Sequence, residues 1–340
     1  MKMIPKNAKF VIFRTDRIGD VMLSVPVAEA LKKCYPGSRI TFVAREYTKQ
    51  LFINNPFVDK VIAIDSFTKK EFYQYLKNEK FDAAIVLYSE LRIAWPIFKA
   101  RIPIRVGPMS KWWGIFFNRR VWQKRSESFL SEAEYNLKLL EAVGCKETAY
   151  PILVLSDDEK LWRDRFLDAL NIGSKKLVII HPGSGHSARN WPLKKFLDLA
   201  VLLKRRDNIK IIITGTHDEY MSCMSLAKEL PLTCEDFLKD LPLRQFLALL
   251  SRADCLLTNS TGPLHCGAAL NAATISFYCP IRVCNPRRWG PYVKDHSRHF
   301  VFMPPVPECE KCLGRECEYY NCMDMILVED VEKKLDEMIR

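Results

Sequence analysis

Glycine is scarce in this chain, 13 residues in 340, and neither these nor the 19 prolines recur at a fixed spacing. That excludes collagen-like, solenoid and propeller architectures. No GxGxxG turn follows the first strand-like segment, which argues against a dinucleotide-dependent dehydrogenase, and no GxxxxGK[ST] phosphate loop occurs anywhere. The first residues, MKMIPKNAKFVIFR, lack the uninterrupted apolar stretch of a secretory signal. Residues 255–281 carry no Lys, Arg, Asp or Glu, but Asn259, Pro263, His265, Asn271 and Pro280 interrupt them. A bilayer span needs about 20 mostly apolar residues, so no transmembrane helix is expected. RRM, KH, helix-turn-helix and zinc-finger patterns are also missing, and no nucleic-acid partner is expected.

At 48% hydrophobic residues, 340 residues are too apolar for disorder and too many for one modest core, so two domains are expected. The net charge of +12 is uneven. Residues 1–150 hold 26 basic and 15 acidic residues, whereas residues 151–340 hold 26 and 25. From Arg92 to Arg125 there are nine basic residues and no acid, interleaved with Trp95, Phe98, Trp112, Trp113, Phe116, Phe117 and Trp122. Such a mixture suits an anionic lipid surface, into which Trp112, Trp113, Phe116 and Phe117 could dip, a phosphorylated glycan or nucleic acid, or it is a solvated face beside core aromatics.

Strand-like and helix-like segments alternate along the whole chain, which predicts an α/β fold with parallel sheets. Lys9–Thr15, Arg39–Ala44, Val58–Ile64, Phe81–Tyr88 and Ile102–Val106 read as strands, and Val21–Lys33, Lys70–Lys77 and Ser131–Val143 as helices. A second series follows: strands Lys176–His181, Ile209–Thr214, Cys255–Thr258 and Thr274–Tyr278, with helices Asp157–Leu170, Leu193–Lys204, Glu219–Leu230, Leu243–Ser251 and Pro263–Leu270. We read residues 1–152 and 153–328 as two Rossmann-like domains and 329–340 as a final helix. A ligand is expected in the cleft between the domains.

Four polar turns stand where strands hand over to helices. Arg14-Thr15-Asp16-Arg17-Ile18-Gly19-Asp20 follows the first strand; Asp20 is either an N-cap or a general base. His181-Pro182-Gly183-Ser184-Gly185, with Arg189 shortly after, offers backbone amides, a hydroxyl and a guanidinium, the groups that a pyrophosphate needs. Glu219, in Gly215-Thr216-His217-Asp218-Glu219, is placed to accept ribose hydroxyls or is a helix-start charge. Thr258-Asn259-Ser260-Thr261-Gly262-Pro263-Leu264-His265 is the last of them.

These motifs, in this order and spacing from Phe10 to the C-terminus, resemble glycosyltransferase family 9, the lipopolysaccharide heptosyltransferases. The resemblance implies a GT-B fold, two Rossmann-like domains facing each other across a cleft, with an acceptor-binding domain over residues 1–152 and a nucleotide-sugar-binding domain over 153–328. It implies a metal-independent, inverting transfer, commonly of heptose from ADP-heptose to Kdo or heptose of the inner core. By position, Asp20 matches the catalytic Asp, while Gly183, Ser184, Arg189, Glu219, Thr261, Gly262 and His265 match donor contacts. Ser260 stands where the family usually has Asp, and Arg189 where Lys is common. The first departure keeps open a transferase of the same fold with another nucleotide sugar; a non-catalytic glycan- or nucleotide-binding protein is the third reading. Arg17 and Gly19, with Arg105, Arg119 and Arg120 of the basic segment, are the candidate contacts to a lipid-anchored anionic glycan. The expected location is cytoplasmic, peripheral on the inner face of the inner membrane.

Cysteine chemistry adds one more expectation. Twelve cysteines without a secretion signal are expected to be reduced. Cys309-x2-Cys312-x4-Cys317-x4-Cys322 then suits a structural zinc site, an iron–sulfur cluster or a set of free thiols, and the other eight read as packing residues.

Overall fold

A computed structural model describes residues 4–185, 188–227, 230–233 and 236–340. The chain divides into two compact units, Met1–Val154 and Leu155–Arg340. In the first, strands β1 (Lys9–Phe13), β2 (Arg39–Ala44), β3 (Lys60–Ala63), β4 (Ala83–Val86), β5 (Ile104–Pro108) and β6 (Arg119–Val121) form one sheet. In the second, β7 (Lys176–His181), β8 (Ile209–Gly215), β9 (Phe237–Lys239), β10 (Cys255–Asn259), β11 (Ala273–Phe277) and β12 (His299–Phe302) form another. All pairings are parallel, and the orders β3-β2-β1-β4-β5-β6 and β9-β8-β7-β10-β11-β12 are the same topology. The strand order reverses between β1 and β4 and again between β7 and β10. In open α/β sheets, ligands bind outside the carboxyl ends of strands at such a point.

The apolar residues of these strands explain the parallel sheets. β4 and β10 are buried along their whole length, as strands covered by helices on both faces must be. The first unit's helices are α1 (Ile18–Met22), α2 (Pro26–Cys34), α3 (Lys69–Glu79), α4 (Leu91–Lys99) and α5 (Glu132–Lys138). The second has α6 (Asp157–Ala169), α7 (Leu193–Lys204), α8 (His217–Ala227), α9 (Leu243–Leu250), α10 (Gly262–Ala269), α11 (Pro286–Trp289) and α12 (Val328–Ile339). On one side of the first sheet, Val11, Phe13 and Val86 pack with Phe72, Leu76, Ile93 and Ile97 of α3 and α4. In the second unit Val178 and Ile180 pack with Phe196, Leu199 and Leu203 of α7 and with Val331 and Leu335 of α12. Each such buried side chain contributes about 1.5–3 kcal/mol.

Several local expectations change. The helix expected over Val21–Lys33 is two, because Pro26 has no N–H to continue a helix and instead opens α2 at its first position. The helix expected over Ser131–Val143 begins with the Ser131–Glu134 capping box and finishes as a 3-10 turn, Leu139–Val143, stopped by Gly144 at φ +80°. The end of the helix expected over Glu219–Leu230 lies partly outside the described residues. The basic segment is folded in: α4, β5, the 3-10 turn Trp112–Phe116 and β6 all come from it. The expectation of reduced thiols is corrected for one pair, since Cys34 at the end of α2 is disulfide-bonded to Cys145 after Gly144.

Candidate active site

In the first unit the site grows from Arg14, the residue after β1. Its side chain is 2% exposed, so its charge must be matched inside the protein. Nε donates to Asp16 at 2.7 Å, Nη2 to Asp20 at 2.6 Å and Nη1 to Glu132 at 2.9 Å. Glu132, itself buried, also binds Arg125. Asn136 accepts from Arg14 at 3.3 Å and donates to Ser24 Oγ and the Leu23 carbonyl. Two guanidinium groups thus face three carboxylates, and the least satisfied carboxylate keeps its proton longest. Burial, opposed by Arg14 and reinforced by Asp16 and Glu132, pushes the Asp20 carboxyl up to about 6. The N-cap of α1 is Arg17, not Asp20. Asp20 is therefore a partly exposed carboxylate poised near neutrality, which is what a general base requires. Arg17 is exposed and Gly19 half-buried on the same short helix.

The other candidate acceptor contacts take structural roles. Arg105 donates Nε to the Phe116 carbonyl at 2.8 Å and Nη1 to Ile102 at 2.5 Å. Arg119 donates to the Ala142 carbonyl at 2.7 Å, and Arg120 to Phe117 and Ile115 at 2.9 and 3.0 Å. These guanidinium groups pin the aromatic turn and β6 to the sheet. Phe117, read as a membrane-facing ring, is buried under Gly107, where a Cβ would lie 2.3 Å from the ring.

In the second unit the polar turns at the ends of β7, β8 and β10 do meet. Glu219 closes a capping box at the start of α8, its carboxylate accepting from the Thr216 N–H at 2.8 Å and its own N–H donating to Thr216 Oγ1 at 3.4 Å. The same carboxylate lies over Gly183: a Cβ there would fall 2.1–2.5 Å from it. Asn259, 1% exposed, ties the first turn to the last, accepting from the Trp191 N–H at 2.9 Å and donating to the Pro182 carbonyl at 2.9 Å. Ser184 accepts from Asn190 at 2.5 Å. His181 at the end of β7 shares a 3.0 Å hydrogen bond with Thr214. Thr261 is the N-cap of α10 but makes no side-chain cap bond. Its hydroxyl instead contacts Thr258 at 3.2 Å, so no side chain caps the Gly262 end of the helix. His265 on α10 is 4% exposed, and burial holds it neutral with its pKa near 4. Ser260 lies near the buried Tyr278 hydroxyl, which donates to the Trp289 carbonyl.

Arg189 departs from its expected place. Its Nε donates to Cys312 Sγ at 2.7 Å and its guanidinium lies 5.7 Å from the Tyr320 ring centre. It faces a cavity of about 40 Å³ that Cys309, Cys312, Cys317 and Cys322 line together with Cys279. The cysteines are gathered, but among the described residues no group of three or more His, Cys, Asp or Glu is arranged to hold a metal ion. Cys312 is turned to the guanidinium and Cys322 into the α12 side of the core. A hydrogen bond from Cys284 lowers the Cys279 thiol to about 6.

Sequence reasoning missed Arg14, Glu132 and Asn259 as site-building residues. An arginine directly after the apolar run Phe10–Phe13 was the available signal for the first. Nothing local marked Glu132, which lies 118 residues away.

The model of glycosyltransferase family 9 (heptosyltransferase) matches residues 70–322. A Haemophilus influenzae protein described as a candidate glycosyltransferase is 33% identical over 317 residues, 88% of this chain and 90% of the relative. Lipopolysaccharide heptosyltransferase 2 of Escherichia coli is 24% identical over 294 residues, 80% of this chain and 83% of the relative. The solved structure of E. coli ADP-heptose LPS heptosyltransferase II superposes with a TM-score of 0.79 at 19% identity, covering 97% of this chain and 98% of that one.

Proposed function

The chain belongs to glycosyltransferase family 9, and on that premise we propose that it moves heptose from ADP-heptose to the Kdo or heptose of a lipopolysaccharide inner core with inversion. Asp20 removes the acceptor hydroxyl proton, the acceptor oxygen attacks the anomeric carbon, and the bond to the ADP oxygen breaks, its electron pair leaving with ADP. The turn at Gly183–Gly185 and the start of α10 hold the diphosphate, and Glu219 accepts from the ribose. Backbone amides and a helix N-terminus stabilise the departing oxyanion, so the reading needs no divalent cation.

The observation that carries the reading is the Arg14–Asp20 pair: a carboxylate held at 2.6 Å, with its pKa raised to about 6, directly after the first strand. The E. coli heptosyltransferase described above, similar to this chain in sequence and in its solved structure, supports the donor and acceptor class. The acceptor is lipid-anchored and anionic, so the enzyme works at the cytoplasmic face of the inner membrane as a peripheral protein. Among the described residues no helix is long and apolar enough to cross a membrane. Ser260 favours a second reading, because a hydroxyl replaces the family's usual carboxylate beside the donor sugar; the donor is then another nucleotide sugar.

A thermal-shift panel of ADP-, UDP-, GDP- and CMP-sugars in EDTA separates the two, since a ligand of the native state raises Tm by mass action. Stabilisation by ADP-heptose, and its turnover with a deacylated inner-core acceptor in EDTA, is expected. A response confined to uridine nucleotides would overturn the donor assignment.

A further inference from the structure

The first unit contains a cavity of about 1120 Å³ between α3, α4 and the turn Trp112–Phe116. Its walls are largely apolar: Phe67 and Phe72, Trp95 and Pro96, Trp112 and Phe116. A space of this size lined by rings is built to be filled from outside. Trp95 and Trp112 each pack an edge against Phe116 yet remain 47% and 63% exposed, leaving apolar surface at its mouth.

The charge around it has one dominant sign. Lys69, Lys70, Arg92 and Lys99 line the cavity against the single carboxylate of Asp65. Lys99 is held over the Tyr73 ring at 4.8 Å, its stem along the wall. Arg92 pairs with Glu90 and also donates to Thr15 Oγ1 at 3.3 Å, so the rim adjoins the turn that carries Asp20. Apolar walls ask for hydrocarbon, and a cationic rim asks for an anionic head group. Both demands are met by one class of molecule, an amphiphile.

We infer that this cavity takes a hydrocarbon chain of an anionic membrane lipid, with the head group held by Lys69, Lys70, Arg92 and Lys99. The inference rests on the membrane-surface reading above and goes beyond it by assigning the contact to a chain-binding pocket. It also moves the lipid contact from Arg105, Arg119 and Arg120, whose guanidinium groups hold backbone carbonyls, to four cations on α3 and α4.

Octyl, decyl and dodecyl phosphate, each below its micelle concentration, are titrated into the full chain while tryptophan fluorescence is followed. Transfer of a methylene from water to an apolar site corresponds to about fourfold in Kd. Affinity is therefore expected to rise about fourfold per methylene, and to fall at least tenfold in Trp95→Ala, with Trp112→Ala as a second, more exposed substitution and thermal melts as the folding control. Equal affinity for the three chains, or unchanged affinity in both variants that melt like wild type, would overturn it. So would a concentration-dependent dimer lost in the same variants without alkyl phosphate binding, which would make the face an interface between copies. Binding of anionic liposomes without chain-length dependence would sink the pocket and leave the peripheral reading standing. Sugar transfer to a deacylated acceptor, measured in parallel, tests the enzymatic reading independently of both.

Discussion

Replacing Asp20 by Asn should make the protein more stable and nearly inactive. Asp20 is raised from 3.8 to about 6 in the folded chain, and each pKa unit corresponds to about 1.4 kcal/mol. At about pH 7, above both values, ionising Asp20 in the fold thus costs about 3 kcal/mol relative to the unfolded chain. Asp16 and Glu132 share the same guanidinium, so about half of this, about 1.5 kcal/mol, is assigned to Asp20 alone. Asn keeps an oxygen to accept from Arg14 and carries no charge to bury. A gain of about 1.5 kcal/mol in a unit of this size raises Tm by about 3–6 °C. The sign with pH is fixed by linkage. Between the unfolded value of 3.8 and the folded value of about 6, the native wild type binds more protons than the unfolded chain, so its stability falls as pH rises through that window and is level above it. The Tm advantage of the variant should therefore shrink as pH is lowered from about 7 to about 4. Loss of the base lowers kcat/KM by about 10²–10⁴, and the wild-type profile should climb with pH up to about 6 and then level off. Scanning fluorimetry at several pH values and a transfer assay measure both. A variant that melts below wild type at neutral pH, or turns over within tenfold of it, would refute the assignment of Asp20 as a destabilised base.

Three further outcomes follow from the same geometry. Glu132→Gln removes the buried charge that binds Arg14 and Arg125 and should cost about 3 kcal/mol in denaturant melts. Glu132 also contributes to the raised pKa of Asp20, so the acid limb of the pH–rate profile should move to lower pH; an unmoved limb would show that the two carboxylates are not coupled. Gly183→Ala places a Cβ 2.1–2.5 Å from the Glu219 carboxylate and must push it aside. Calorimetry is expected to find ADP binding weakened at least tenfold with the melting profile retained, and wild-type affinity would remove Glu219 from the donor site. Opening the Cys34–Cys145 disulfide, 111 residues apart, by the Cys34→Ser/Cys145→Ser pair should lower stability by about 2–4 kcal/mol. If reductant leaves the wild-type melting curve unchanged, that bond is not a stabilising element.

The chain's order of apolar segments and polar turns already contained the α/β class, and its turns contained the positions of Asp20, Gly183, Glu219 and Thr261. Those features are local: a strand, a short polar turn and a helix start lie within about ten residues of one another, and their periodicity is written in consecutive side chains. With no GxGxxG after the first strand, the strand ends carry polar turns in place of a dinucleotide loop. What could not be read locally was decided by contacts between distant residues. Whether Asp20 caps a helix or waits as a base depends on Arg14 meeting Glu132 across 118 residues. Whether nine positive charges in one stretch greet a ligand or hold a fold depends on which carbonyls lie within reach, and Arg105, Arg119 and Arg120 find theirs inside the unit. Arg189 is turned to Cys312, 123 residues on, and away from the role its motif suggested. Charge type and spacing are properties of a sequence, but the partner that desolvates or satisfies each charge is chosen by tertiary packing, and that choice separates a structural arginine from one that recognises a ligand.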